Sequence, residues 1–233
     1  MEPKYELTEK MVIKDRTLYR IKALRAFADV NAGDLGGWVE SEENLSQEGS
    51  CWVYDEATVY GNAMVCGKAK VCGFAMVCGF ATVCGKATVD GQAMVYGFAR
   101  VDGNALVGDN AMVSDKAKIC GDAMVYDHAK VGGNALVGGN ATVDGNATVD
   151  GDAWVDGDAR VCGDARVYGN ATVDGDAMVC GDARVYDNAK VGGKAKVYNN
   201  AWVCGDAKVC GNETVYGNAK VYGNAKVYGN AVN

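Results

Sequence analysis

The sequence predicts an all-β solenoid, in which one short structural unit is stacked many times along an axis. From residue 51 onward, the unit Val-x-Gly-(Asn/Asp)-Ala-x repeats without an insertion or a deletion. Steps of six from Val53 to Val227 give (227 − 53)/6 + 1 = 30 positions, and every one is Val except Ile119. A second column is Ala throughout except for Glu213. A strict short period of this kind indicates stacked repeats with a continuous core.

Each hexad reads as a short strand followed by a corner. Ala-x-Val places two small apolar side chains two residues apart, so both face one side while x faces the other. The Gly, Asn and Asp that follow are the residue types that accept a positive φ or hydrogen-bond their own backbone in a turn. Such a strand cannot bury its apolar side alone, but successive coils can pair their backbones in parallel around a core of Ala and Val.

The repeat resembles a known family. Val-Tyr-Gly-Asn-Ala-Lys at 221–226 and Val-Asp-Gly-Asn-Ala-Thr at 143–148 are similar to the hexapeptide repeat of left-handed parallel β-helices. The resemblance implies a left-handed triangular solenoid with 18 residues in each coil, and hence about ten coils. It implies little about function, because the family includes acyltransferases, γ-class carbonic anhydrases and non-enzymatic polymer-forming or prophage-encoded proteins.

The N-terminal segment lacks the repeat, and we divide the chain into a cap over 1–35 and a β-helix over 36–233 that is regular from 51. Residues 11–13 and 18–23 read as the strands of a β-hairpin, whereas 24–30 suits either a helix or a strand. The segment is expected to cover the N-terminal sheet edge or to bind a partner. Its sequence pattern is similar to proteins of phage and gut-bacterial origin.

The charge and apolar patterns restrict the partners. The net charge is −7 and the pI is near 4.8, which disfavours a general phosphate-binding surface and nucleic acid as a partner. Because the sequence has no apolar run of about 20 residues and no signal-peptide core, we expect a cytoplasmic protein without a membrane partner. The repeat ends without a cap segment, and Lys208, Lys220 and Lys226 near that end favour a discrete oligomer over a filament.

The ten cysteines do not follow a metal-binding spacing. Nine of them occupy the repeat position just after Val, where Tyr, Asp or Gly stand in other hexads. No His accompanies them in a zinc motif. We therefore expect free thiols in a reducing compartment.

The sequence does not favour an enzyme. Hexapeptide acyltransferases use a His as general base, commonly beside a loop that leaves the helix to bind the acyl donor. Here the single histidine, His128, stands at a corner position, and no loop interrupts the repeat after residue 51. One His cannot form the zinc site of a γ-class carbonic anhydrase. The sequence thus predicts a protein that is not an enzyme and needs no cofactor.

An acidic cluster is a candidate metal site. Val-Asp-Gly-Asp-Ala occurs twice, 18 residues apart, so Asp156, Asp158, Asp174 and Asp176 are expected to lie at one edge of two adjacent coils. Four neighbouring carboxylates repel one another unless a cation relieves them. A solvated acidic edge balanced by nearby arginines is the alternative.

A surface of methionines and aromatic residues is the candidate interface. Steps of 18 along one outward column give three methionines in succession, and three of the four phenylalanines flank them. The residues are Phe74, Met76, Phe80, Met94, Tyr96, Phe98 and Met112. An outward face of a solenoid cannot be core, and contiguous exposed apolar patches mark interfaces, so we predict self-association through this surface.

These observations favour a non-catalytic rigid scaffold of phage or bacterial origin that acts through self-association and a partner-binding face. The alternative is an oligomeric protein that sequesters a small nucleotide-like molecule. Two expected aromatic stacks, Tyr168 with Tyr186 and Tyr198 with Tyr216, are its only support in the sequence. A hexapeptide acyltransferase is the least favoured reading. The partners considered are a second copy of the chain, a host protein and a small molecule.

Overall fold

The computed structural model describes residues 2–228, and in this range the fold is an all-β parallel solenoid of about eleven coils, consistent with a left-handed β-helix. The predicted fold class is therefore confirmed. Three flat sheets form the faces of the solenoid, and each takes one strand from every coil. No helix in the described part of the chain is long and apolar enough to cross a membrane.

Three longer strands and one 3-10 turn precede the regular coils. They are β1 (Tyr5–Ile13), β2 (Arg16–Ala23), β3 (Leu35–Val39) and the turn Glu42–Asn44.

Thirty two-residue strands follow, ten on each face. The first face has Thr58–Val59, Met76–Val77, Met94–Val95, Met112–Val113, Lys130–Val131, Thr148–Val149, Arg166–Val167, Arg184–Val185, Trp202–Val203 and Lys220–Val221. The second face has Trp52–Val53, Lys70–Val71, Thr88–Val89, Leu106–Val107, Met124–Val125, Thr142–Val143, Arg160–Val161, Met178–Val179, Lys196–Val197 and Thr214–Val215. The third face has Met64–Val65, Thr82–Val83, Arg100–Val101, Lys118–Ile119, Leu136–Val137, Trp154–Val155, Thr172–Val173, Lys190–Val191, Lys208–Val209 and Lys226–Val227.

The register follows the 18-residue coil that the resemblance implies. Each strand residue pairs with the residue 18 positions further on, as Met94 does with Met112. The Val and Ala columns are buried along nearly their whole length, while the residue between them faces out. The coil beyond the expected ten comes from β3, which pairs in parallel with Thr58–Val59. The hexad defines the core columns, and the 18-residue coil implied by the resemblance identifies the neighbour of each residue one coil away.

The corners depend on residues that accept a positive φ. Gly91 has φ 65°, and a Cβ there would lie 2.7 Å from the backbone N of Asp109 in the next coil. In some coils Asp stands at this corner position in place of Gly. It keeps a positive φ and adds a hydrogen bond to the next coil. The carboxylate of Asp127, at φ 59°, accepts the backbone N–H of Gly145 at 3.0 Å. The Gly-to-Asp exchange therefore links neighbouring coils.

The N-terminal strands close one end of the first face. β1 and β2 form an antiparallel hairpin, and β2 pairs antiparallel with β3, so the hairpin extends that sheet beyond the first coil. The segment 24–30 forms neither of the expected elements and contains only a bridge between Phe27 and Val30. Lys4 is buried, and its ammonium group donates to the carbonyl of Ser46 at 2.6 Å. The segment is thereby tied to the solenoid. The expected open C-terminal edge lies outside the described residues.

Candidate functional site

The three methionines of the candidate interface form a column on the first face. Met76 pairs in register with Met94, and Met94 pairs with Met112. All three side chains are half-buried, since each lies against its neighbours in the column while the adjacent Val fills the core. Tyr60 donates its hydroxyl to the sulfur of Met76 at 3.0 Å. The methionines thus cover a flat apolar strip on the outside of the solenoid.

Aromatic rings flank this column and are more exposed than the methionines. Phe74 is 70% exposed, Phe80 54% and Phe98 61%. The rings of Phe80 and Phe98 stack with centroids 4.8 Å apart. We call the seven residues Phe74, Met76, Phe80, Met94, Tyr96, Phe98 and Met112 the Met–Phe patch. The structure brings all seven to the first face and its two edges.

The hairpin turn lies beside the Met–Phe patch and forms a groove that sequence reasoning missed. Its apolar walls come from both elements and include Ile13, Leu18, Thr58, Tyr60, Phe74 and Met76. Arg16 lies over the ring of Tyr60 at 5.2 Å and forms an ion pair with Glu40 at 2.9 Å. Burial raises the pKa of Tyr60 to about 12, so this phenol stays neutral at physiological pH. The antiparallel extension of the first sheet, which no period reveals, creates this groove.

A second groove on the first face contains the only histidine. Its lining residues are His128, Lys130, Asn146, Thr148, Asp164 and Arg166. The groove begins directly after the patch, because Met112 pairs in register with Lys130. His128 is exposed at the corner, and its imidazole makes no hydrogen bond within residues 2–228. An exposed imidazole that lines one groove with Lys130 and Arg166 can accept a proton from a substrate and leave negative charge near these two cations.

Further along the first face, cationic and aromatic side chains occupy one outward column and its edge. Arg166 pairs in register with Arg184, and Arg184 with Trp202. The rings of Tyr168 and Tyr186 stack at 5.0 Å, as the sequence predicts for this pair. A hydrogen bond with Cys204, aided by burial, raises the pKa of Tyr186 to about 12.

The other expected stack also forms. Tyr198 and Tyr216 lie with ring centroids 5.7 Å apart and ring planes 13° apart. Stacking of like residues 18 apart follows from the coil period and carries no ligand information by itself. The two stacks show that identical corner residues in adjacent coils contact one another.

The acidic cluster does not assemble a metal centre in the described part of the chain. Among residues 2–228 there is no group of three or more His, Cys, Asp or Glu side chains placed to hold a metal ion. Asp158 instead accepts a hydrogen bond from the amide of Asn140 at 2.7 Å. Asn-to-Asp bonds between corners one coil apart recur along the solenoid, as for Asn146 and Asp164 at 2.9 Å. The metal assignment for Asp156, Asp158, Asp174 and Asp176 therefore gains no support.

The cysteines differ from the expectation of free thiols at one pair. Cys162 and Cys180, one coil apart in the same corner column, form a disulfide with a Cα–Cα distance of 4.6 Å. The other eight cysteines are free. The prediction was wrong for this pair because we read the column as a tolerated small side chain. An 18-residue separation makes Cys162 and Cys180 neighbours in adjacent coils, whereas Cys66 and Cys84 at the same separation are free.

Comparisons with known proteins match the repeat. The family described as YdcK Beta solenoid repeat matches residues 159–175 and 165–181. The curated protein "Uncharacterized acetyltransferase YdcK" of Escherichia coli is 46% identical over 46 residues, which are 20% of this chain and 14% of that protein. The chain thus matches a small part of this relative's length.

Solved structures match the chain at low sequence identity and with TM-scores below 0.5. The acetyltransferase domain of PglB from Neisseria gonorrhoeae, in complex with acetyl coenzyme A, is 23% identical with a TM-score of 0.41. The similarity covers 49% of this chain and 55% of that one. The Francisella novicida UDP-N-acetylglucosamine acyltransferase is 16% identical with a TM-score of 0.44, covering 62% and 60% of the two chains.

The match to a named acetyltransferase overturns one prediction from the sequence. We expected the chain not to be an enzyme, because it has one His and no loop leaves the helix. That prediction is wrong, since the curated relative with 46% identity over the matched repeats is named an acetyltransferase. The absence of a protruding loop is therefore not a sufficient reason to exclude catalysis. The repeat match and the parallel β-solenoid support a place for this chain in the hexapeptide-repeat superfamily.

Proposed function

We propose that the chain is a self-associating β-helix, of bacterial or phage origin, whose Met–Phe patch is the contact between copies. The observation that supports this is the exposure of three phenylalanines around a column of methionines, with Phe74 at 70%. Soluble monomers rarely leave a contiguous apolar surface of this kind in water, because its burial contributes roughly 25 cal/mol per Å².

A second copy suits the patch better than a charged partner. None of its seven residues carries a charge, so it offers no electrostatic selectivity. The face is a flat parallel sheet, and a flat surface can meet an identical one around a symmetry axis. The groove between the hairpin and Met76 is a recess beside the patch in which an apolar side chain of another copy can pack.

The test compares charges placed on two faces. Met76→Glu with Met94→Glu puts two carboxylates in the centre of the patch, and light scattering coupled to size exclusion should show a lower mass. The matched control is Met124→Glu with Met178→Glu, since these outward methionines are 39% and 36% exposed on the second face. The control should keep the parent mass. An unchanged mass in the Met76 and Met94 variant contradicts the proposal.

Acyl transfer is a second candidate, supported by the match to a named acetyltransferase and by the groove around His128. In this proposal His128 removes the proton from an acceptor hydroxyl or amine, which attacks the acyl thioester. The C–S bond breaks, and the thiol leaves with a proton. Lys130 and Arg166 stabilise the negative charge that develops. The groove is open on one side, and because it adjoins the Met–Phe patch, a second copy could supply the missing wall.

The acyl-transfer proposal is tested by release of free thiol from acetyl coenzyme A in the presence of amine and sugar acceptors. His128→Asn should lower the rate by about 100-fold, the usual contribution of a general base. Asn110→Ala, at the same corner one coil earlier, serves as the control. An equal rate for His128→Asn and the parent would remove His128 from the reaction. The alternative of a nucleotide-sequestering protein has only the tyrosine stacks in its favour.

A further inference from the structure

The C-terminal part of the first face carries an unpaired group of cations. Arg166 and Arg184 lie in register on adjacent strands. Trp202 follows one coil beyond Arg184, and Lys220 pairs with Trp202 in the next coil. None of the three forms an ion pair with a carboxylate among residues 2–228. Like charges opposite one another in a sheet are destabilising. In a chain of net charge −7, cations that lie in one column without a carboxylate partner indicate a surface that binds an anionic ligand.

Aromatic rings are built into the same surface. Trp202 lies between Arg184, at 5.2 Å from the ring centroid, and Lys220, at 4.5 Å. Tyr168, 36% exposed, lies at the edge of the column beside Arg166 and Arg184. The indole of Trp202 holds Arg184 and Lys220 in place, and Tyr168 adds a partly exposed ring beside Arg166. We call Arg166, Tyr168, Arg184, Trp202 and Lys220 the basic–aromatic strip.

Two grooves run along the strip and share Arg184. One is lined by Thr148, Asp150, Arg166, Tyr168 and Arg184, and the other by Asp182, Arg184, Asn200, Trp202, Asn218 and Lys220. Because strands are about 4.8 Å apart, the three coil steps from Arg166 to Lys220 span roughly 14 Å. The shared arginine and the common axis suit one elongated ligand better than two separate small ones.

The charge and the polar groups of the grooves decide the ligand class. Three cations against Asp150 and Asp182 give a net charge of 3 − 2 = +1 over the two grooves. A nucleic acid, with a phosphate on every nucleotide, would be repelled by these two carboxylates. A ligand rich in hydroxyl groups can instead donate hydrogen bonds to Asp150 and Asp182, and it can bond to the amides of Asn200 and Asn218. Arg166 and Arg184 can together hold one carboxylate, and Lys220, two coil steps or roughly 10 Å beyond Arg184, a second.

We propose that the basic–aromatic strip binds an acidic oligosaccharide in which carboxylate-bearing and neutral sugars alternate. The sugar chain lies along the solenoid axis, its carboxylates at the cations and its hydroxyls at Asp150, Asp182 and the two asparagines. The apolar C–H faces of the sugar rings contact Tyr168 and Trp202. This binding does not depend on self-association, because no residue of the Met–Phe patch takes part. The strip shares Arg166 with the groove around His128, but its binding uses no imidazole and so does not require acyl transfer.

The test titrates the full chain with a hyaluronan hexasaccharide at physiological ionic strength, by calorimetry and by tryptophan fluorescence. The chitin hexasaccharide is the uncharged control, and a Glu-Gly repeat peptide and oligo(dT) are the anionic controls. Saturable binding of hyaluronan alone is expected. Arg166→Gln with Arg184→Gln should weaken it at least 10-fold, and Trp202→Ala should do so as well.

Matched variants lie on the third face. Lys190→Gln with Lys208→Gln removes two in-register cations, and Trp154→Ala removes a tryptophan that is 51% exposed. Both should bind hyaluronan like the parent, and circular dichroism checks that every variant is folded. Three results overturn the proposal: no binding of hyaluronan, equal or tighter binding of the peptide or oligo(dT), and equal losses in the third-face variants.

Discussion

Asp127 offers a direct measurement of what holds successive corners together. The residue has φ 59°, which non-glycine residues rarely adopt, and its carboxylate accepts the N–H of Gly145 at 3.0 Å. Asp127→Ala keeps a Cβ in the left-handed region and removes the bond. A positive φ costs a residue with a Cβ roughly 1–2 kcal/mol, and this cost is smaller for Asp than for Ala. The lost hydrogen bond costs about 1 kcal/mol. We expect Asp127→Ala to destabilise the fold by about 2 kcal/mol in total.

Two further variants separate the cost of backbone strain from the cost of the lost hydrogen bond. Asp127→Gly removes the bond but relieves the backbone strain, so its cost should be about 1 kcal/mol. Asp127→Asn keeps an oxygen acceptor and a residue that tolerates a positive φ, so it should cost less than about 1 kcal/mol. Asp176→Ala is the control, because no hydrogen bond to that carboxylate is formed among residues 2–228 and its φ is not positive.

The assay is guanidinium unfolding followed by circular dichroism, with the midpoint of the first transition compared across the series. A stack of coils need not unfold in one step, so midpoints are safer than an extrapolated free energy of unfolding. The expected order of stability is parent, Asn, Gly, Ala. Equal midpoints for the Ala and Gly variants would refute the argument that a positive φ at this corner is costly for a residue without a side-chain acceptor.

The remaining predictions concern the cysteines and the coil period. Reduction of the Cys162–Cys180 disulfide should lower the unfolding midpoint by the equivalent of about 3 kcal/mol, and the double Ala variant should not respond to reductant; a parent that ignores reductant contradicts this. Burial raises the pKa of both Cys66 and Cys72 from 9.0 to about 11, so the folded state holds these protons more tightly than the unfolded chain. Stability should therefore be complete below pH 9 and fall as the pH rises towards 11. Replacing both cysteines with Ala should reduce that fall, and an identical fall contradicts the assignment. A deletion of residues 133–150 should leave a folded solenoid that melts near the parent, whereas deleting only the first nine of these residues should unfold it; equal melting temperatures would contradict an 18-residue coil built from hexads.

The sequence predicted the regular part of the fold because the core has only two kinds of position. The hexad defines every Val and Ala column, and the 18-residue coil implied by the family resemblance then predicts the pairing of Met94 with Met112. The Met–Phe patch could be located for the same reason. With the coil length supplied by the resemblance, the fixed period leaves no choice of partner strand open.

The sequence did not reveal the features that lie outside the repeat, nor the covalent bond between two cysteines of one column. β2 pairs antiparallel with β3, and no repeat signals that pairing, so the groove beside Met76 was missed. The burial of Lys4 against the carbonyl of Ser46 depends on the same packing. The disulfide joins Cys162 and Cys180, neighbours one coil apart, but Cys66 and Cys84 at the same separation are free, so the separation alone does not identify the bonded pair.

The first face concentrates the candidate functions for a physical reason. The core columns cannot vary without loss of packing, so chemical differences can accumulate only in the outward column and the corners. On a given face, residues 18 apart are neighbours, and a function therefore takes the form of a run along the axis. The first face carries three such runs in order: the Met–Phe patch, the groove around His128, and the basic–aromatic strip that begins at Arg166. Association through the patch would place a second copy beside the groove without covering the far end of the strip, so binding to a partner copy and binding of a ligand can occur on one face together.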